Sequence, residues 1–129
     1  MKIILSSNSS WNLYNFRYNL ISKLLKEKFE VILVAPEDNY TKKINSLGCK
    51  FINLKLNRKS VSIYHDFFIF LQYYKILRKE KPNFYLGFTI KPNIYGSLAS
   101  KLFNIHIINN ISGLGTAFIK NNLLTSIVK

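Results

Sequence analysis

Five short apolar runs recur along this chain, each followed by a longer stretch of helical periodicity. That alternation admits little besides a parallel sheet wrapped in helices. The runs read as strands near 2–6, 30–35 (EVILVA), 50–56 (KFINLKL), 83–88 (NFYLGF) and 105–109 (IHIIN), with helices near 14–28, 38–47, 62–80, 93–103 and 117–129. Right-handed crossovers then give a Rossmann-like α/β sheet of order 3-2-1-4-5, helices on both faces. Ligands of such sheets bind beyond the carboxyl ends of the strands where the order reverses, here between the first and fourth strands.

At 129 residues the chain suits one domain, and no repeat or Pro/Gly-rich linker divides it. The pattern over 117–129 ends before any glycine cap, so the chain is expected to be the front part of a longer protein. A lone Cys49 excludes an internal disulfide, and the apolar start MKIILS is too short for a signal peptide. A cytoplasmic location follows as the expectation. The most apolar stretch, IYHDFFIFLQYYKIL, is shorter than the roughly 20 residues a spanning helix needs and carries His65, Asp66, Gln72 and Lys75.

The net charge of +13 invites a nucleic-acid or membrane partner, but only 3 of the 19 basic residues are Arg and the lysines are dispersed. No basic patch is interleaved with stacking aromatics, which argues against nucleic acid. An anionic bilayer stays open. The first helix is expected to lay Leu13, Phe16, Leu20, Ile21, Leu24 and Leu25 on the sheet, with Asn15 as N-cap. The 62–80 helix is apolar on nearly every side; it is either buried between layers, the expected reading, or offers an aromatic surface to a partner or bilayer.

The crevice should be lined by residues 7–17, by Phe88-Thr89-Ile90-Lys91-Pro92-Asn93 and by Asn110-Ile111-Ser112-Gly113-Leu114-Gly115-Thr116. The first segment, SSNSSWNLYNFR, holds no glycine, which weakens any reading as a dinucleotide-binding dehydrogenase domain. Arg17 falls inside the apolar stripe and, placed in the first helical turn, would oppose the helix dipole. Such a cation wants an anionic neighbour, unless its stem packs while the guanidinium reaches water. Lys91 at the exit of a central strand could meet a phosphate or be an ordinary loop lysine. Gly113 and Gly115 could aim backbone N–H groups at an anion.

Only six acids are present, and none pairs with another for acid–base work; Glu37 and Asp38 suit the start of the second helix. His65, His106 and Cys49 lack metal-ligand spacing, and the Ser6-Ser7-Ser9-Ser10 cluster lacks a nucleophile elbow. No catalytic residue, metal or cofactor is therefore assigned. This chain reads as one that binds.

The segments SNSSWNLYNFRYNLI, VAPEDNYTKKINSLGCKF, FTIKPNIYGSLASKLFNI and INNISGLGTAFI, in this order, resemble the N-terminal domain of family 4-type bacterial glycosyltransferases of the GT-B fold. The group that extends lipid-linked oligosaccharides for capsule, O-antigen or glycoprotein glycans, N-acetylgalactosaminyltransferases included, is the most similar. The resemblance spans residues 1–129, and TIKPNIYGSLA and NNISGLG are its specific parts. It implies a retaining transferase in two Rossmann-like halves, the N-terminal half holding a polyprenyl-diphosphate-linked sugar acceptor. The nucleotide-sugar donor, a UDP-HexNAc for this group, and the E-x7-E acidic motif would belong to a C-terminal half. Carried onto this chain, Ser9, Ser10, Trp11, Asn12 and Arg17 would face the acceptor, with Lys91 and Asn93 beside them. Ser112, Gly113 and Gly115 would line the interdomain cleft. The basic surface and the aromatic helix would suit a peripheral enzyme at the inner face of the membrane. The alternative within this resemblance is an acceptor-binding subunit that pairs with a separate donor-binding chain.

Overall fold

The computed structural model describes residues 1–56 and 63–110. The helix expected over 117–129 and the cleft residues Ser112, Gly113 and Gly115 lie outside them. Strands β1 (Lys2–Ser6), β2 (Glu30–Ala35), β3 (Lys50–Asn53), β4 (Phe84–Gly87) and β5 (His106–Asn109) form one sheet in the order β3-β2-β1-β4-β5. All four pairings are parallel. In central β1, Leu5 sits beside Leu33 of β2 and Leu86 of β4.

Helices α1 (Ser10–Lys26) and α2 (Thr41–Asn45) lie on one face; α3 (Ile63–Glu80) and α4 (Ser97–Lys101) lie on the other. A π-helical turn, Pro92–Gly96, leads into α4. Because a strand sends successive side chains to opposite faces, β1 feeds both cores. Ile3 and Leu5 meet Leu13, Ile21 and Ile44 under α1 and α2. Ile4 meets Ile69, Tyr73 and Leu77 of α3, with Tyr85 and Ala99. Coverage on both sides explains why β1 and β2 read as unbroken apolar runs rather than alternating ones.

Several expected boundaries move. Helix α1 starts at Ser10, and its N-cap is Ser9: the extended Ser9 backbone lets its hydroxyl accept the Asn12 amide N–H at 3.0 Å. Asn15 is interior, and its side-chain amide donates to the Trp11 carbonyl. The helix faces the sheet along the i, i+4, i+8 line of Leu13, Arg17 and Ile21, of which Leu13 and Ile21 are buried. Phe16, 60% exposed, and Leu20 fall on its flank instead of in the core. Helix α2 is one turn, because Asp38 folds the preceding residues by accepting the Tyr40 N–H while its own N–H donates to Thr41 Oγ1. Strand β3 ends at Asn53, since the Lys55 backbone turns to the Gln72 side chain with two 2.8 Å bonds.

Helix α3 also departs from the expected burial. Its 18 residues reach about 27 Å, whereas strands of 4 to 6 residues reach only about 13 to 20 Å. The surplus overhangs the carboxyl edge. Ile69, Tyr73 and Leu77 are buried, while Ile63 (82% exposed), Tyr64 (89%), Phe67 and Phe68 stand clear of the core. The other end is anchored at the opposite edge, where Lys2 Nζ donates to the Glu80 carbonyl and the buried Glu80 carboxylate pairs with Lys50 at 2.8 Å.

Candidate functional site

The carboxyl edge between β1 and β4 is built by register. Ser6 pairs with Gly87, so Ser7 and Phe88 leave the sheet side by side, the Phe88 N–H donating to the Ser6 carbonyl at 3.1 Å. The chain then enters α1 within three residues. Arg17 lies two turns into that helix, beyond the first turn where sequence placed it, so the dipole objection to a cation lapses. Its position in the apolar stripe stands. The guanidinium carbon sits 4.4 Å from the Phe88 ring centroid, and the buried Nε has no hydrogen-bond partner. A guanidinium held on an aromatic face with an unused donor is prepared for an anion.

The other expected contacts divide. Ser9 is committed to capping, and buried Ser10 donates to the Pro36 carbonyl at 2.8 Å and bonds Thr41 Oγ1 at 3.0 Å, fastening α1 to the loop before α2. Neither hydroxyl is turned to the crevice. Trp11 is half-exposed and edge-on to Phe16, and its backbone N–H goes to Asp38 Oδ2. Asp38 therefore braces the first turn of α1 rather than charging the start of α2. Asn12 keeps a buried Oδ1 without a partner.

Lys91 is ion-paired with Asp66 of α3 at 3.2 Å. The Lys91 ammonium, and after it the Tyr95 hydroxyl, hold the Asp66 carboxyl below the usual aspartate range. Asn93 is fixed by three neighbours: its N–H donates to the Thr89 carbonyl, its Nδ2 donates to the Asn110 carbonyl, and its Oδ1 lies over Gly87. A Cβ on Gly87 would overlap that oxygen, so glycine is what admits Asn93 to the edge. Behind it, the Tyr85 hydroxyl donates to the Pro92 carbonyl at 2.7 Å within the π-helical turn, a distortion frequent at functional sites.

The unpartnered polar atoms gather here. Buried side-chain atoms without a hydrogen bond include Ser7 Oγ, Asn12 Oδ1, Arg17 Nε, Thr89 Oγ1 and Asn93 Oδ1, all on segments that meet at the β1/β4 edge. Buried polar groups in a settled core find partners, so such a cluster marks a surface that a ligand completes. Phe88 and Thr89 were readable only as crevice lining, and Ser7 as one serine of several; no spacing in the sequence announces that residue 88 lies under residue 17. Asp66 is expected near the carboxyl edge from sequence, but its pairing with Lys91, 25 residues away, is not legible there. Among the described residues the crevice offers hydroxyls, amides and one guanidinium, while the acids beside it are engaged, Asp66 with Lys91 and Asp38 with the backbone N–H groups of Trp11 and Tyr40. That chemistry suits binding of a polar, anionic ligand rather than proton transfer.

The fold and this edge can be set beside known proteins. Residues 2–129 match the family described as glycosyl transferase 4-like. The chain is 29% identical over 130 residues to a Campylobacter jejuni N,N'-diacetylbacillosaminyl-diphospho-undecaprenol alpha-1,3-N-acetylgalactosaminyltransferase, covering 100% of this chain and 35% of that protein. The chain thus spans about a third of that relative's length. Among solved structures, Acinetobacter baumannii MurG superposes with a TM-score of 0.68 at 12% identity, over 84% of this chain and 33% of its own. A Rickettsia africae glycosyltransferase gives 0.64 at 16% identity, over 95% of this chain and 34% of its own. These similarities establish a common fold, and with the match over nearly all its length, the chain belongs to the glycosyl transferase 4-like family.

Proposed function

We propose that this chain is the acceptor-binding N-terminal part of a retaining glycosyltransferase, which moves a sugar from a nucleotide-sugar, a UDP-HexNAc, onto a lipid-linked saccharide. The observation that carries the reading is Arg17: a part-buried guanidinium braced on Phe88, its buried Nε donor unused, at the switch point of a parallel sheet. The similarity to a transferase whose name specifies a diphospho-undecaprenol saccharide supports that anion being a lipid-linked phosphate. Trp11, Asn12, Arg17 and Asn93 would contact the acceptor, and Ser112, Gly113 and Gly115 would line the cleft toward a donor-binding domain. No cofactor or metal is invoked for this half.

The same reading puts the enzyme at the membrane periphery. No helix among the described residues is long and apolar enough to cross a bilayer. The overhanging end of α3 instead displays Ile63, Tyr64, Phe67 and Phe68, and the chain carries a net charge of +13, a combination suited to an anionic bilayer surface. The Asp66–Lys91 pair joins this apolar end to the crevice loop.

The decisive experiment joins the chain to its native continuation and screens UDP-sugars against a polyprenyl-diphosphate-linked acceptor. Transfer from at least one donor, lost on removal of residues 1–110, is the expected result. Failure with every donor, or tight binding of NAD(P) by the purified chain, would overturn the assignment.

A further inference from the structure

We infer that Ser7, Thr89 and Asn93 form a subsite for the hydroxyl or acetamido groups of a sugar ring, and that Arg17 at its flank takes a phosphoryl group attached to that sugar. The inference rests on the acceptor reading above and says which part of the ligand lies where.

The chain's own serines supply the contrast. Ser6 Oγ donates to the Val34 carbonyl at 2.8 Å and meets the Tyr73 hydroxyl at 2.6 Å; Ser9 caps α1; Ser10 holds the Pro36 carbonyl. Ser7, fully buried among them, uses its hydroxyl for nothing, and neither does Thr89 across the β1/β4 edge. A short polar side chain ordinarily satisfies itself on nearby backbone. These two do not.

Asn93 adds direction. Because its Nδ2 donates to the Asn110 carbonyl, the amide orientation is set and Oδ1 is left as an acceptor over Gly87. An acceptor oxygen needs a donor from the ligand, which a sugar hydroxyl or acetamido N–H supplies and a phosphate dianion does not. Ser7 and Thr89 can donate or accept, as a polyol requires. The floor of the crevice is thus complementary to a neutral ring. Among the described residues, positive charge stands at its flank, where Arg17 lies on Phe88, and the charge of Lys91 is matched by Asp66. One guanidinium beside an acceptor-rich floor fits a glycosyl phosphate.

The test uses the 129-residue chain in NMR titrations with N-acetylglucosamine 1-phosphate, free N-acetylglucosamine and inorganic phosphate. Thr89→Val and Ser7→Ala remove hydroxyls that bond nothing in the fold, so thermal stability should hold or rise. Affinity for the sugar phosphate should fall about tenfold for each, the scale of one lost hydrogen bond, with phosphate affinity unchanged. Arg17→Gln should weaken both anionic probes and leave the weak binding of the free sugar in place. Unchanged sugar-phosphate affinity in both hydroxyl variants, or inorganic phosphate bound as tightly as the sugar phosphate, would overturn the subsite. Transfer by the extended protein alongside either of those results would remove this subsite and leave the transferase reading standing.

Discussion

The Arg17 guanidinium carbon lies 4.4 Å from the centre of the Phe88 ring, joining the sheet-facing line of α1 to the first residue beyond β4. This contact fixes a charge at an apolar boundary, and its removal has two separable effects. Arg17→Met keeps the packed stem, loses a cation–π contact of about 0.5–2 kcal/mol and relieves an unpaired buried Nε. The two terms oppose each other, so unfolding free energy should change by no more than about 1 kcal/mol, while affinity for a lipid-phosphate acceptor falls at least about tenfold. Urea unfolding and acceptor titration of the same preparation separate the two. A large loss of stability with acceptor affinity intact would make Arg17 a structural residue.

Gly96 lies against the Tyr85 hydroxyl so closely that a Cβ would overlap it. Tyr85 is fully buried, edge-on to Tyr73 and bonded to the Pro92 carbonyl, so it has no room to retreat. Gly96→Ala should therefore cost about 1–3 kcal/mol, the range for overpacking a filled core, seen as a lowered urea midpoint with an unchanged slope. A variant as stable as the parent would show that the π-helical turn can shift freely.

Glu80 supplies a pH dependence whose sign is fixed. The Lys50 hydrogen bond, with the nearby charges of Lys50 and Lys2, holds its carboxyl below the ordinary glutamate range. A carboxyl with a lowered folded pKa contributes stability above its unfolded value of 4.5, and that contribution is lost as pH falls through the folded value. Stability should thus decline below about pH 4.5, and Glu80→Gln should flatten that decline. At pH 7 the substitution should cost about 1 kcal/mol, since Lys50 is half-exposed and screened. An identical acid limb in both proteins would discard the assignment.

Strand order was legible because it follows from handedness and apolar alternation alone, and those are properties of segments. What sequence misplaced were properties of contacts. The cap of α1 depended on whether Ser9 or Asn15 began the helix, both acceptable cap residues, and which edge of the broad apolar stripe met the sheet, leaving Phe16 and Leu20 outside the core, was set by packing. Arg17 stood out because a charge in an apolar stripe is visible in one dimension. Phe88 beneath it, and Asp66 against Lys91, belong to pairs created only when distant segments meet. The burial expected of α3 failed through a comparison of lengths: an 18-residue helix outruns the sheet it covers.

That overhang places aromatic rings where a bilayer surface can take them up. Tyr64 and Phe67 contribute little to the core, being 89% and 61% exposed, so replacing both by Ser should leave thermal stability nearly unchanged. At a bilayer their rings would leave water, with a gain of roughly 1.5–3 kcal/mol for each fully buried ring. Co-sedimentation with vesicles of phosphatidylglycerol and phosphatidylcholine should accordingly fall at least about tenfold in the double variant. Added salt should weaken the parent's binding too, because the lysines act through a screened field, but it should leave the residue due to the aromatic rings. Binding that salt abolishes completely and that the double variant retains would assign the surface interaction to charge alone, and the overhanging end of α3 would lose its role.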